Sequence, residues 1–173
     1  MSASTDPKYG TDLTKLERIV AELPTGFDAL RAEAQGEGYR HLDRLAEEWN
    51  TNKARFEQDG EALFAAWVDA DLAGIGGLTI DPVLPSALRM RRFYVAKSSR
   101  RTGIGRAIAK SLLAQPRASD RAITVNAAAG SEPFWESLGF VRDPRDGHTH
   151  VLPHMSGWVF GLALSREGDT PIG

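Results

Sequence analysis

The chain alternates short apolar blocks with polar stretches, and the spacing inside each block predicts an element. Residues 16–22 show a weak two-residue alternation and read as a first strand. Phe27, Leu30 and Ala34 then recur at helical spacing behind Thr25-x-x-Asp28, a capping-box variant that predicts Thr25 as the helix cap. Gly36 and Gly38 stop that helix, and Leu42, Leu45 and Trp49 form the stripe of a second. A polar loop over 50–60 leads to two strands, 63–68 and 72–80, joined as a hairpin at Asp69-Ala70-Asp71. Gly74, Gly76 and Gly77 crowd the second strand and predict a bulge or a close approach of another backbone. Beyond the loop 82–86, residues 88–95 interleave arginines with apolar side chains as the next strand. A polar linker, 96–102, enters a helix over 103–114 with Ile104, Ala107, Ile108 and Leu112 on its buried face. A short strand over 122–125 follows, then a short helix capped by Ser131 and ended by Gly139. Strands near 140–142, 149–152 and 158–164 and a loose tail over 165–173 complete the reading. This is an α/β pattern: a single mixed sheet of about six to seven strands flanked by helices. No repeat or linker divides it, so residues 1–173 are expected to form one domain with its core over about 16–164.

Composition narrows the classes. Hydrophobic residues make up 42% and charged residues 25% of 173, the balance of a globular chain and not of a disordered, collagen-like or coiled-coil one. The absence of cysteine excludes disulfides, thiolate nucleophiles, acyl-cysteine intermediates and Cys-ligated zinc. The first ten residues have no apolar core and the longest apolar runs are strand-sized, so a cytoplasmic protein without a signal peptide or membrane span is expected. A net charge of −2 does not suit a chain built as a whole to coat nucleic acid or an anionic membrane.

The charge is unevenly spread. Residues 1–81 hold 16 acids against 8 bases, whereas residues 82–119 hold 9 bases and no acid. A basic island in an acidic chain points to a local anion site, unless it is simply a solvated face. Inside it lies Arg100-Arg101-Thr102-Gly103-Ile104-Gly105-Arg106, between a strand and a helix. Glycines there let the backbone curl so that N–H groups face one point, and the helix start adds free donors and the positive dipole end. Such a loop binds phosphate through its backbone, and flanking arginines supply charge for more than one. A phosphate loop of the G-x-x-x-x-G-K type is absent, and a dinucleotide fingerprint would need Gly where Ile108 stands.

Arg100-x-x-Gly103-x-Gly105 resembles the (Q/R)-x-x-G-x-(G/A) motif of the GNAT superfamily of N-acetyltransferases. Downstream, Phe134-Trp135-Glu136-Ser137-Leu138-Gly139-Phe140 is similar to that family's F-Y-E-x-L-G-F segment, and Asn126 sits where the family has a cofactor-contacting Asn. The resemblance spans roughly residues 16–142. It implies a GNAT-like, mostly antiparallel sheet with a splayed strand pair at the cofactor site. It also implies acetyl-CoA as co-substrate, and direct attack of an amine on its thioester. The implied cofactor residues are Phe93, Tyr94 and Val95 through backbone groups, the loop Arg100, Arg101, Thr102, Gly103, Ile104, Gly105 and Arg106, and Asn126 and Trp135. The implied partner is a small-molecule or peptide amine, handled by a monomer or homodimer without nucleic acid, membrane or metal.

Two departures matter for chemistry. The family's tyrosine, often the proton donor to the leaving thiolate, is Trp135 here, and indole N–H is no usable acid. The Glu that some members carry as base on the cofactor strand has no counterpart over 88–95. The remaining candidates for a base are His150 and Asp81, the latter equally a turn residue before Pro82. Arg91 and Arg92 are candidates to hold a carboxylate on the acceptor, or else ordinary ion-pair residues. Tyr39 and His41, between the first two helices, are candidates for acceptor contact or for packing. His148-x-His150, with His154 beyond, lacks any further ligand motif, so no metal is expected. A non-catalytic acyl-CoA-binding or sensor domain on the same fold is the alternative that the two departures leave open.

Overall fold

Seven strands form one sheet in the order β1-β2-β3-β4-β5-β7-β6, and only the β4–β5 neighbours run parallel. The computed structural model describes residues 15–115 and 118–154. Its strands are β1 (Lys15–Arg18), β2 (Ala62–Val68), β3 (Asp71–Ile80), β4 (Leu88–Val95), β5 (Ile123–Val125), β6 (Val141–Arg145) and β7 (His148–Leu152). The helices are α1 (Phe27–Gly36), α2 (His41–Asn50), α3 (Ile104–Leu113) and α4 (Glu132–Ser137). The strand expected at 158–164 and the tail lie outside the described residues.

Each face of the sheet carries its own apolar cluster. Leu63, Ala65, Trp67, Ile75 and Tyr94 pack against α1 and α2 through Phe27, Leu30, Leu42, Leu45 and Trp49. Ala62, Ala66, Val68, Leu78, Leu88 and Met90 pack on the other face against Ile104, Ile108, Leu112 and Trp135. Full burial of a Leu or Ile side chain contributes about 1.5–3 kcal/mol, so these two layers fix which face each helix covers.

β4 changes its facing partway. Met90 belongs to the α3 face, but so do Phe93 and Val95, while Tyr94 faces α1 and α2. A strict two-residue period would put Met90 and Tyr94 on one side. The register explains the switch: Ile75 pairs with Tyr94 and Gly77 with Arg91, so Gly76 stands opposite two residues, Arg92 and Phe93. Arg92 takes up the extra length at φ +61, a left-handed backbone rare for a long side chain. Of the two explanations offered by the glycine cluster of β3, the bulge is realised in the β3–β4 register, while the close approach at Gly76 and Gly77 comes from aromatic rings and not from another backbone. A Cβ on Gly76 would lie 2.7–2.8 Å from the Phe93 ring, and one on Gly77 would run into the Phe56 ring.

Several boundary details depart from the sequence reading. β1 ends at Arg18, with Ile19 N–H donating to Leu63 O as the last link to β2, because Pro24 and Gly26 turn the chain into α1. Gly26 at φ +91, not Thr25, occupies the cap position of α1, and no side chain caps it. Ser131 does stand at the cap of α4, but its hydroxyl donates backward to Ala128 O at 2.7 Å. The buried face of α3 includes Ala109, while Ala107 is only half-buried.

Candidate active site

β5 pairs with β4 only through Leu88, Arg89 and Met90, opposite Ile123, Thr124 and Val125. β5 then stops and β4 runs on to Val95, so 91–95 present an edge without a strand partner on that side among the described residues. A cavity of about 820 Å³ opens along this edge. The glycine loop contributes Arg100, Arg101, Gly103, Gly105 and Arg106 to its wall, β4 contributes Arg89, Arg91 and Arg92, and the α1–α2 turn and α2 contribute Tyr39, His41 and Arg44. Phe93, Tyr94, Val95, Asn126, Phe134 and Trp135 line it as well.

The loop has the backbone of an anion cradle. Arg101 at φ +61 and Gly103 at φ +89 turn it through two left-handed positions separated by Thr102. The first helical N–H to find an acceptor is that of Ala107, which donates to Gly103 O at 2.9 Å. Those of 103–106 have no backbone acceptor among the described residues, as at any helix start. Gly105 leaves open the space above this turn, since even a Cβ there would meet only Val95 and Phe134 at 3.4–3.5 Å. Thr102 and Ile104 do not line the cavity: the Thr102 hydroxyl donates to Ser99 O, and the Ile104 side chain is buried against β3. Arg100 is committed elsewhere. Its guanidinium donates to both oxygens of Glu37 at 3.0 and 2.6 Å and to Val95 O at 3.0 Å. Uncommitted charge at the loop comes from Arg101 and from Arg106, whose contact is a hydrogen bond to Ser137 Oγ at 2.8 Å.

Glu37 is a hub that no sequence pattern marks. It also accepts the Tyr94 hydroxyl proton and faces Lys97 at 3.7 Å. The hydrogen bond from Arg100, then that from Tyr94, lower its pKa to about 2. Burial and the bond to Glu37 push the Tyr94 phenol well up, so it stays protonated. The tie fastens the turn between α1 and α2 to the residue that opens the glycine loop.

Tyr39, His41 and Tyr94 form a three-ring cluster with centroids 5.5–6.2 Å apart. His41 Nε2 is buried and has no hydrogen-bond partner among the described residues. Burial, opposed by a bond to the Phe93 backbone, and the nearby charges of Arg92 and Arg44 lower the His41 pKa, so the ring is neutral at neutral pH. Trp135, the residue in the family's tyrosine position, stands edge-on to Phe93 and Phe134 at 4.9 Å and to Phe140 at 5.4 Å, and is 4% exposed.

Neither candidate base from the sequence lines the cavity. Asp81 is fully buried and accepts from Thr124 Oγ1 at 2.6 Å, Val83 N at 2.8 Å and Leu84 N at 3.1 Å. Arg89 Nη2 lies 2.9 Å away, in ion contact but out of hydrogen-bond alignment. Burial would raise the Asp81 pKa, but these hydrogen bonds and Arg89 outweigh it and hold the carboxylate below its ordinary range. Asp81 thus acts as the turn anchor before Pro82. His150 is buried, with Nδ1 2.8 Å from Thr149 Oγ1 and Nε2 3.2 Å from Glu136 Oε1. His148 faces a different carboxylate, Asp143, at 3.1 Å. Among the described residues no three His, Cys, Asp or Glu side chains are grouped to hold a metal.

Comparisons with known proteins agree with this geometry. The family model of the acetyltransferase (GNAT) domain matches residues 26–155. Among solved structures, a candidate acetyltransferase from Exiguobacterium sp. 255-15 superposes with a TM-score of 0.71 at 22% identity, over 90% of this chain and 98% of that one. A candidate GNAT acetyltransferase from Desulfovibrio desulfuricans gives a TM-score of 0.62 at 20% identity, over 81% and 98% of the two chains. The Bacillus subtilis N-acetyltransferase YlbP, solved in complex with coenzyme A, gives 0.52 at 16% identity, over 80% and 95%. No curated protein sequence matches. No described helix is long and apolar enough to cross a membrane.

Proposed function

The chain belongs to the GNAT acetyltransferase family, and from that membership we propose that it transfers the acetyl group of acetyl-CoA to a primary amine. The observation that carries this reading is the unpaired edge of β4 beside a glycine loop with free N–H groups. The donors of 103–106, with Arg101 and Arg106, suit a pyrophosphate. The edge of 91–95 suits the amides of a pantetheine arm, which would pair there as an added strand. The coenzyme A in the YlbP neighbour supports the same cofactor class.

The amine nitrogen attacks the thioester carbon; a C–N bond forms, the C–S bond breaks, and coenzyme A leaves as thiolate. The nitrogen must shed a proton. Among the described side chains that line the cavity, His41 alone has an ordinary pKa near neutrality, and its lowered pKa keeps it ready to accept. Trp135 cannot return a proton to sulfur, and a thiolate of ordinary pKa about 8.5 leaves without one at a cost in rate.

The test is a thiol-release assay over an amine panel. We expect turnover with wild type, and a kcat lower by about 10²–10⁴ in His41→Gln, with acetyl-CoA binding retained and the acid limb of the pH profile flattened. A His41→Gln variant as fast as wild type at every pH would remove the proton acceptor from this mechanism. Tight acetyl-CoA binding without turnover of any amine would leave a binding or sensor domain instead.

A further inference from the structure

We infer that the acceptor is an amine that carries an oxyanion, in the manner of a free amino acid, and that this group seats on Arg91 and Arg44. The inference rests on the transferase reading for the amine, but on separate observations for the anion.

Among the described residues, the wall of the cavity contains seven arginines and no acidic side chain. On β4, Arg89 is matched by Asp81 at 2.9 Å. Arg92 is matched by Glu48, donating at 2.6 and 3.3 Å. Arg91 has only that same carboxylate, already engaged, at 3.6 Å. Two guanidinium groups therefore share Glu48, and that of Arg44, exposed on α2, has no carboxylate of its own among the described residues.

The imbalance is felt by the neighbours. Arg91 is 25% exposed, and burial together with Arg92 bears on its charge while Glu48 only partly compensates. Arg92 and Arg44 both disfavour the charged form of His41. A purely cationic acceptor, such as a polyamine or a lysine-rich peptide, would meet like charge here with no carboxylate in the cavity wall to receive it. An oxyanion supplies the missing counter-charge, and a guanidinium fork accommodates it through paired N–H donors. The bulge of β4 contributes directly, because it turns both Arg91 and Arg92 toward α2 and Glu48.

The experiment compares ω-amino acids with amino alcohols of the same length, whose amines have similar basicity, as acceptors and as ligands of the CoA-loaded protein. We expect kcat/KM for the carboxylated amines to exceed that for the alcohols by about 10- to 100-fold, the worth of one charge-assisted contact. Arg91→Gln should erase this preference by raising the acceptor KM while leaving the acetyl-CoA KM unchanged; Arg44→Gln, on an exposed helix position, should do so in part without disturbing the fold. Equal turnover of alcohols and acids overturns the anion site and leaves the transferase reading intact. Carboxylated amines that bind through Arg91 but are never acetylated support the anion site and overturn the transferase reading. Absence of both binding and turnover of carboxylated amines overturns the proposal.

Discussion

Glu37 takes hydrogen bonds from two side chains, Arg100 and Tyr94, with Lys97 nearby, and that makes it a pH-dependent clasp. Its pKa is lowered from 4.5 to about 2, chiefly by Arg100 and then by Tyr94. The folded state therefore holds the proton less well than the unfolded chain. The stability this carboxylate contributes is present above pH 4.5 and is lost as pH falls toward 2. Asp43, held to about 2 first by Arg31 and then by Gln35, adds a similar loss from 3.8 downward where it ties α1 to α2. His41 acts earlier in the same direction, because its lowered pKa means that charging it below 6.5 opposes folding. We expect Glu37→Gln to be less stable than wild type at neutral pH, with the gap closing between pH 4.5 and 2 in denaturant titrations. A gap that stays constant with pH would show that the carboxylate's charge is not what Arg100 and Tyr94 stabilise.

At the scale of elements, the glycines divide into those that serve packing and those that serve a ligand. Gly77 is pressed by the Phe56 ring, so Gly77→Ala should overpack the α1–α2 side of the sheet and cost about 1–3 kcal/mol with or without cofactor. Gly105 is the opposite case. It sits in helix α3 without a left-handed backbone, and a Cβ would make only ordinary contacts at 3.4–3.5 Å. Gly105→Ala should leave the free protein as stable or raise its stability by up to about 1 kcal/mol, the usual Gly-to-Ala gain in a helix. A bulkier side chain, as in Gly105→Leu, would crowd a phosphate approaching the loop, so the stabilisation by acetyl-CoA should fall sharply in that variant. Thermal melts with and without acetyl-CoA separate these variants. A Gly105→Leu protein that keeps the full acetyl-CoA shift would place the phosphates elsewhere. Element order, hairpins and the loop were readable from periodicity and glycine spacing. The glycines of β3 pointed to a bulge but not to its place at Arg92: Leu88-Arg89-Met90-Arg91 alternates and the Arg91-Arg92 doublet breaks the pattern, yet a doublet of like residues does not say which of them leaves the ladder.

Over the whole molecule, what was legible in the sequence was what depends on local spacing, and what was not depends on distant partners. The glycine loop and the Phe134–Phe140 segment are each contiguous in sequence, and Gly103, Gly105, Phe134 and Trp135 from them line one cavity. Glu37 and Glu48 sit among many surface acids in the first half of the chain, and only folding brings them onto Arg100, Arg91 and Arg92. That long-range matching also shows where the basic island of 82–119 remains unmatched. Arg89, Arg92 and Arg100 are matched by Asp81, Glu48 and Glu37, whereas Arg101 and Arg106 at the loop are exposed and face no carboxylate among the described residues. The cofactor's phosphates should complete this balance. Acetyl-CoA at a hundredfold excess over its dissociation constant should stabilise the fold by about 2.7 kcal/mol. For a chain of this size that is a rise in melting temperature of about 5–10 °C. Because these two arginines lie in solvent, part of the gain should be screened when ionic strength rises from about 0.1 M to about 1 M and the Debye length falls from about 10 to about 3 Å. The double variant Arg101→Ala, Arg106→Ala should show a smaller shift at low salt and little further change at high salt. A wild-type shift insensitive to salt, matched by the double variant, would mean that the backbone donors alone hold the phosphates and that the basic island serves the acceptor.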